Sequence, residues 1–545
     1  MRKLILVFAT LALSASAATA QPTNAILDSL QYSAFRYFWH QANPTNGLVR
    51  DRSQHGSPSS IAAEGFGLSA ICIAIDHGWI TRAEGAARVL AALNTFWTLP
   101  QGTATSGTIG YKGFFYHFLH MSDGLRQWEW NTELSTIDTA LLLAGILDCK
   151  QYFDGADATE TQIRTLATQI YERVDWEWIR NPSNNAIRHG WQPNGGTGTF
   201  LAFDWIGYNE AMILYILALG SPTHPVPAAS WTAWTSQYNN RWGTQYGQTY
   251  LTFPPLFGHQ YSHCWIDFRN RRDAFMQTKG IDYFENSRRA TLAQQAYCIA
   301  NPLGREGYGA NQWGLTAGDS PNFMYKAHGA PPPQDDDGTI TPTAVVSSLP
   351  FAPEICLPTI QHLWDTYKNQ PVLPGPCESM ATYWGPYGFR DGFNLTWPGD
   401  WYDCDVIGID QGPIVVMIEN FLTGAVWNRF MQNPEVQLGL ERAGFVTVVG
   451  VGDPPAPGPE RAVLWSGPSP FSSATNIHFR LATGDHMRLT VHDVTGREVA
   501  RLVDGWRDAG QHSVSFRGDG LANGMYWYRL DANGSVAIGK GILMR

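Results

Sequence analysis

The chain has 545 residues, with 37 Lys and Arg against 47 Asp and Glu, a net charge of −10. That acidic balance excludes the basic footprint of a nucleic-acid binder or of a protein that lies on anionic membranes. The hydrophobic share of 44% is ample for a core, while the charged share is only 15% and aromatics make up 13%, including 22 Trp and 22 Tyr. So many amphipathic rings suit either buried packing or a cleft that stacks on sugar faces.

Met1 to about Ala20 has the layout of a signal peptide (residues 1–20). Arg2 and Lys3 precede the apolar run LILVFATLALSA, and Ala18-Thr19-Ala20 supplies a small-residue end before Gln21. The run is too short to span a bilayer, and no later stretch reaches the roughly 18 apolar residues that a span requires. Removing Arg2 and Lys3 leaves 35 basic against 47 acidic residues, a net charge of −12. The expectation is an exported protein: periplasmic, cell-surface or extracellular.

Across residues 24–448 apolar residues recur at spacings of three and four. The segments are IAAEGFGLSAICIAIDHG, EGAARVLAALNTFW, STIDTALLLAGILDCKQYF, TQIRTLATQIYERVDWEWI, WIGYNEAMILYILALG, SRRATLAQQAYCIA, PEICLPTIQHLWDTY and IDQGPIVVMIENFLTGAVWNRFM. Amphipathic segments such as EGAARVLAAL alternate with nearly all-apolar ones such as TALLLAGIL and AMILYILAL. The first kind suits an outer layer and the second an inner layer covered on both sides. An open stack of helix pairs would give the same alternation. The long, irregular loops rich in Trp and Tyr favour a closed all-α (α/α)6 toroid.

Residues 449–460, VGVGDPPAPGPE, read as a linker. Beyond it MRLTVHDV, HSVSFRG and MYWYRLDA alternate at period two with turns between, which predicts a small all-β sandwich over 461–545.

The apolar helices share acids at their starts: Glu64, Glu133 with Asp138, Asp204 with Glu210, and Asp410, the last ahead of Pro413 at a first-turn position. If the inner helices run parallel, these carboxylates converge on one mouth. Ser135 and Asp138 fit a capping box, whereas Glu133 precedes the cap and has no local task. Glu210 sits among Trp205, Tyr208, Asn209 and Ala211, with no basic residue within ten positions. Desolvation there would raise its pKa, as a general acid requires. The stretch FGHQYSHCWIDFRNRRD offers His259, His263, Asp267 and Arg269 for sugar hydroxyls, and its spacing matches no metal-ligand pattern. Asp335, Asp336 and Asp337 form a polar loop. Asp391 lies in a Gly-flanked loop ahead of Trp397 and Trp401. None of the seven cysteines falls in a CxxC or Cys/His spacing, and an odd count leaves at least one thiol unpaired. GxSxG, HExxH and phosphate-cradling loops are missing from the sequence. Two carboxylates in an aromatic cleft match glycoside cleavage.

The segments SIAAEGFGLSAICIAIDHGW, WNTELSTIDTALLLAGIL, IGYNEAMILYILALGSPTHP, FGHQYSHCWIDFR, DDGTITPTAVVSSLPFAPE and GFRDGFNLTWPGDWYDCDVIGIDQGPIVVMIENFLTGAVW carry a resemblance from about Ala25 to Phe445. They resemble the bacterial glucoamylase-like family, and more closely its endo-β-1,2-glucanases of glycoside hydrolase family 144. The resemblance implies an (α/α)6 barrel that hydrolyses linear β-1,2-glucan with inversion and without cofactor or metal. It implies Glu210 in YNEAM as the acid and Asp391 in GFRDGFN as the base, with Asp410 and Asp138 as alternatives for the base. Glu133, Asp138, Asp204, Tyr208, His259, Asp267, Arg269, Asp337, Trp397 and Asp410 are the expected substrate contacts. The last 85 or so residues, through PSPFSSATNIHFRLATGDHMRLTVHDVTGREVARLVDG and NGMYWYRLDANG, resemble the sorting domains of type IX secretion substrates, implying export machinery as a partner. A carbohydrate-binding module is the alternative there.

Overall fold

The computed structural model describes residues 24–321, 324–372, 382–448, 463–467, 471–481, 484–493, 497–508, 510–532 and 535–543. The expected signal peptide and the 449–460 linker lie outside the described residues. The chain divides into two compact units, Met1–Val448 and Val449–Arg545. The first is a helical domain and the second is built of strands.

The first unit is organised by α1 (Asn24–His40), α2 (Ile61–Asp76), α3 (Arg82–Thr98), α4 (Thr136–Tyr152), α5 (Ala158–Glu172), α6 (Met212–Gly220), α7 (Tyr261–Trp265), α8 (Tyr283–Ala300), α9 (Pro342–Val346), α10 (Pro353–Tyr367), α11 (Gly408–Leu422) and α12 (Pro434–Arg442). Short polar side chains start many of them. Ser60 accepts from Ala63 N, Thr81 and Glu84 form a full capping box, and Asp157 accepts from Thr159 N and Glu160 N. The helix α6 has no capping side chain of its own; the Ser262 hydroxyl beside α7 accepts from Ile213 N at 3.0 Å instead. Pro413 is not in a first turn. The helix α11 already begins at Gly408, so Pro413 lies inside it, where its missing N–H leaves only the Ile409 carbonyl without a helical donor.

Burial sorts these helices into two layers. All nine residues of α6 are buried, as is almost every residue of α2 from Ile61 to Ala74, whereas α3 and α5 bury one face. In the buried layer α2 packs on α4, α4 on α6, α6 on α7, α9 on α11, and α11 back on α2. Gln260, at the start of α7, donates to Ala344 O and Ser348 Oγ, both at 2.8 Å, and so reaches α9. Outside them α1 lies on α11 and α2, α3 on α5, α10 on α9 and α12 on α6. The two ends of this succession are laced directly together: Gly408 N donates to Asp51 O at 2.7 Å, and Ser53 N to Val406 O at 2.8 Å.

The tightest approach is between α2 and α4. A Cβ on Gly65 would stand 2.1 Å from Leu141 O, and one on Gly145 would stand 2.0 Å from Gly65 O. Each glycine is the space its neighbour's backbone occupies.

Among the described residues the second unit has seven strands: β1 (Val463–Gly467), β2 (Ala474–Leu481), β3 (Asp485–His492), β4 (Glu498–Arg507), β5 (Gly510–Arg517), β6 (Gly524–Ala532) and β7 (Ser535–Leu543). They pair antiparallel into two sheets, in the orders β1-β2-β5 and β4-β3-β6-β7. Ile477, Phe479, Leu489, Val491, Phe516, Tyr528 and Leu530 meet in one core between them, as alternating strands of a sandwich require.

Replacing Gly65 by Ala is expected to lower the unfolding free energy by about 3 kcal/mol, because backbone rather than a movable side chain blocks the added methyl. Gly243→Ala, with nothing within 4 Å, should change it by less than about 0.5 kcal/mol. Denaturant midpoints of the two variants compare them; equal midpoints would show that α2 and α4 can separate freely.

Candidate active site

The starts of the buried helices gather carboxylates supplied by widely separated segments. Asp391 stands between the short strands Gly388–Phe389 and Phe393–Asn394, the latter held by pairing with Thr339–Ile340 and Trp401–Tyr402. Its Oδ2 accepts from Asp319 N at 2.6 Å, its Oδ1 has no donor, and its carboxyl meets that of Asp410 in the first turn of α11. Both groups are almost fully buried. Two carboxyls in contact must retain a proton between them, and burial raises both. The Asp391 pKa is raised well above the ordinary range by burial and then by Asp410, and that of Asp410 is raised chiefly by burial, with the contact to Asp391 opposing the rise. Around them lie Asp51, Asp319, Asp403 and Asp405. The guanidinium of Arg52 reaches Asp319 Oδ2 at 2.9 Å, Asp405 Oδ2 at 3.4 Å and Asp51 Oδ2 at 3.5 Å.

A second group stands at the start of α4. His117 Nδ1 is 2.9 Å from Glu133 Oε1, and its Nε2 is 3.6 Å from Asp138 Oδ2. Its ring lies flat on Phe118, with centroids 3.9 Å apart. Burial would lower the His117 pKa, but Asp138, Glu133 and Asp51 outweigh it and carry it to about 9. Burial likewise opposes the Glu133 carboxylate, and His117 more than offsets this.

Glu210 sits one turn before α6, its carbonyl accepting from Ser262 Oγ at 3.0 Å. Its Oε2 is sealed from solvent and has no hydrogen-bond partner. Burial, with Asp138 adding to it, raises its pKa to about 7. Tyr261 at the head of α7 senses Asp410, Glu210 and Asp138 together, which puts the acid near both carboxylate groups. Such a grouping can donate one proton near neutral pH and hold a buried carboxyl pair.

Comparison with known proteins is consistent with that geometry. A family model described as "Putative glucoamylase" matches residues 202–434, which include Glu210, Asp391 and Asp410. A solved structure of the same description from Bacteroides uniformis is 32% identical, with a TM-score of 0.68, over 78% of this chain and 99% of its own. The chain belongs to the glucoamylase-like family. Within that family's relatives, the endo-β-1,2-glucanase of Chitinophaga pinensis, solved with sophorotriose and glucose, is 29% identical with a TM-score of 0.67, over 78% of this chain and 99% of that one. The exo β-1,2-glucooligosaccharide sophorohydrolase (non-reducing end) of Parabacteroides distasonis is 32% identical over 445 residues, 76% of this chain and 57% of the relative. The chain therefore spans little more than half the length of that curated relative.

The structure of this glucoamylase-like chain brings Glu133, Asp138, Glu210, Asp391 and Asp410 together and sends other expected residues elsewhere. Asp138 does not complete a capping box: Ser135 accepts from Asp138 N, but the Asp138 carboxylate accepts from the Ser135 hydroxyl at 2.5 Å and turns to His117. Glu133, without a task in the sequence, is the partner of His117. Glu64 is buried, accepts from Val49 N at 2.9 Å and lies away from the other acids. Asp204 is a loop clasp that accepts from Asn181 Nδ2 at 2.8 Å and Asn184 Nδ2 at 2.7 Å. Tyr208 is a core residue packed against Trp234, Tyr238, Tyr283 and His259. His259 is fully buried beside it, with its pKa driven down to about 3 by burial. Asp267 and Arg269 satisfy each other, and Arg269 lies 4.4 Å over Trp427, beyond the far end of α11. Asp337 pairs locally with His328 and Lys326 and receives Thr339 N. Trp397 exposes its ring to solvent. Five cysteines are free and buried, and Cys404 is disulfide-bonded.

Sequence reasoning missed Arg52, Asp51, His117, Asp319 and Tyr261. It quoted Asp403 and Asp405 within WYDCDVIGID without singling them out. Among the described residues no group of three or more His, Cys, Asp and Glu is placed to hold a metal ion, and no helix is long and apolar enough to cross a membrane.

The folded pKa of His117 lies above its unfolded value of 6.5, so its contribution to stability is complete below that value and is lost as pH rises through about 9. His117→Gln should therefore cost on the order of 2 kcal/mol at pH 6 and much less at pH 9.5, read from unfolding curves at both values. An equal loss at both would mean that packing on Phe118, not charge, is what His117 supplies.

Proposed function

We propose that this protein hydrolyses linear β-1,2-glucan with inversion at the anomeric carbon, on a closed (α/α)6 toroid formed by α2, α4, α6, α7, α9 and α11 with their outer partners. The observation that carries this reading is Glu210: a half-buried residue with one sealed, unpartnered carboxyl oxygen and a pKa raised to about 7, close to a second carboxyl group. Protonated at neutral pH, it can deliver a proton to the leaving glycosidic oxygen. The Asp391–Asp410 pair then serves as the base that activates water, directly or through a substrate hydroxyl, the carboxylate of the pair taking up the proton. Glu133 and Asp138 are assigned to the sugar chain. The relatives named for β-1,2-glucan and for sophorose release support the substrate class. They divide between endo and exo action, and the loops around the mouth decide which applies here.

Export belongs to the same proposal. The N-terminal segment 1–20 directs secretion, and the β-sandwich unit serves as the address read by the export machinery; fractionation of cells expressing the chain with and without residues 449–545 tests this.

Chromatography of products from linear β-1,2-glucan, with soluble starch and laminarin alongside, tests the substrate. A ladder of β-1,2-linked oligosaccharides indicates endo action and sophorose alone indicates chain-end action. Cleavage only of another polymer would overturn the assignment. Glu210→Gln should reduce turnover by about 10²–10⁴-fold while substrate binding survives, and wild-type turnover should fall as pH rises past about 7, where Glu210 loses its proton. Silence on all three polymers together with retained binding would leave a glycan-binding protein.

A further inference from the structure

Arg52 is the nearest cation to the crowded carboxylates, and it touches neither Asp391 nor Asp410. Its guanidinium sits on Asp319, Asp405 and Asp51. Asp319 in turn delivers its backbone N–H to Asp391 Oδ2 at 2.6 Å, and Asp391 meets Asp410. Asp405 is fixed by Ser53 Oγ at 2.5 Å and Gln54 N at 3.1 Å, in the residues directly after Arg52. We infer that Arg52 is the positioning residue that keeps one carboxylate of the Asp391–Asp410 pair ionised, acting through Asp319 and through its charge. This inference rests on the reading of that pair as the catalytic base.

The groups that face the pair make the requirement plain. Asp51 comes from the loop before α2, Asp319 from the strand Ala317–Asp319, Asp403 and Asp405 from the segment before α11, and the Tyr261, Tyr325 and Tyr383 hydroxyls complete the surroundings. All of these are neutral or negative. Arg390 adds a second guanidinium that senses Asp403 and Asp405, but it hydrogen-bonds to the Cys404 and Thr382 carbonyls. His117 reaches the group only by way of Asp51. With Arg52 in place, Asp51, Asp319 and Asp410 are all easier to ionise. Without it each carboxylate would be buried among like charges, and the pair would keep its protons to higher pH.

The test is the pH profile of kcat/KM on β-1,2-glucan for wild type, Arg52→Lys and Arg52→Gln. The acid limb reports the base and should move up by about one pH unit in Arg52→Gln, a roughly tenfold loss at acidic pH. The alkaline limb set by Glu210 should stay, KM should change by less than about threefold, and Arg52→Lys should fall between. An unmoved acid limb, or a loss confined to KM, would overturn the inference. Thermal unfolding from pH 5 to pH 8 gives a readout that needs no turnover. The deficit of Arg52→Gln against wild type should widen as pH rises, because the carboxyls then ionise without their cation, and that of Arg52→Lys should widen less; a constant deficit in Arg52→Gln would mean a purely steric role. Wild-type inactivity on β-1,2-glucan would sink the substrate reading alone, and the unfolding series would still decide Arg52.

Discussion

The architecture of the first unit turns on one electrostatic fact: several carboxylates are held largely out of water near the starts of the buried helices, with Arg52 and His117 as the cations that touch them. Desolvation favours the protonated form of every such group, so the arrangement is stable only because some of the acids keep their protons and the rest share those two partners. The division is spatial. Arg52 serves the carboxylates around Asp319 and Asp405, and His117 serves Glu133 and Asp138. Glu210 receives neither, which leaves it poised near neutrality.

Packing of the buried helices supports this arrangement. The helices α2 and α4 can touch backbone to backbone because Gly65 and Gly145 leave room for each other's neighbourhood, which sets the first turns of α2 against the middle of α4. The core is dense, with Trp176, Trp191, Trp234, Trp265, Trp313 and Trp427 fully buried. The far end of α4 is pinned by a bidentate ion pair, Arg429 to Asp148 at 2.6 and 2.9 Å. Rigid walls of this kind keep an unpartnered carboxyl oxygen such as Glu210 Oε2 from relaxing toward a donor.

Much of this was legible in the sequence and part was not, for physical reasons. The alternation of all-apolar and amphipathic helices is a local signal, and so is the lack of any basic residue near Glu210; both could be read from short windows. Tyr208 and His259 misled because an aromatic residue in a polar, aromatic-rich stretch reads the same whether it faces sugar or a neighbouring ring. Here it faces Tyr283 and Trp234. Arg52 was invisible because its meaning lies in Asp319 and Asp405, 267 and 353 positions away. His117 was invisible because the loop that carries it shows no periodicity. Glu133 was recognisable as an acid without a local purpose, although its partner was not.

The lacing of Gly408 to Asp51 and of Ser53 to Val406 has a bearing on how the protein is made. The segment that carries Arg52 leaves the ribosome early and the one that carries Asp391, Asp405 and Asp410 leaves late, and the guanidinium meets its carboxylates only where they join. A nascent chain interrupted before residue 391 therefore carries Arg52 without either carboxyl of the pair and without the seam that orders it.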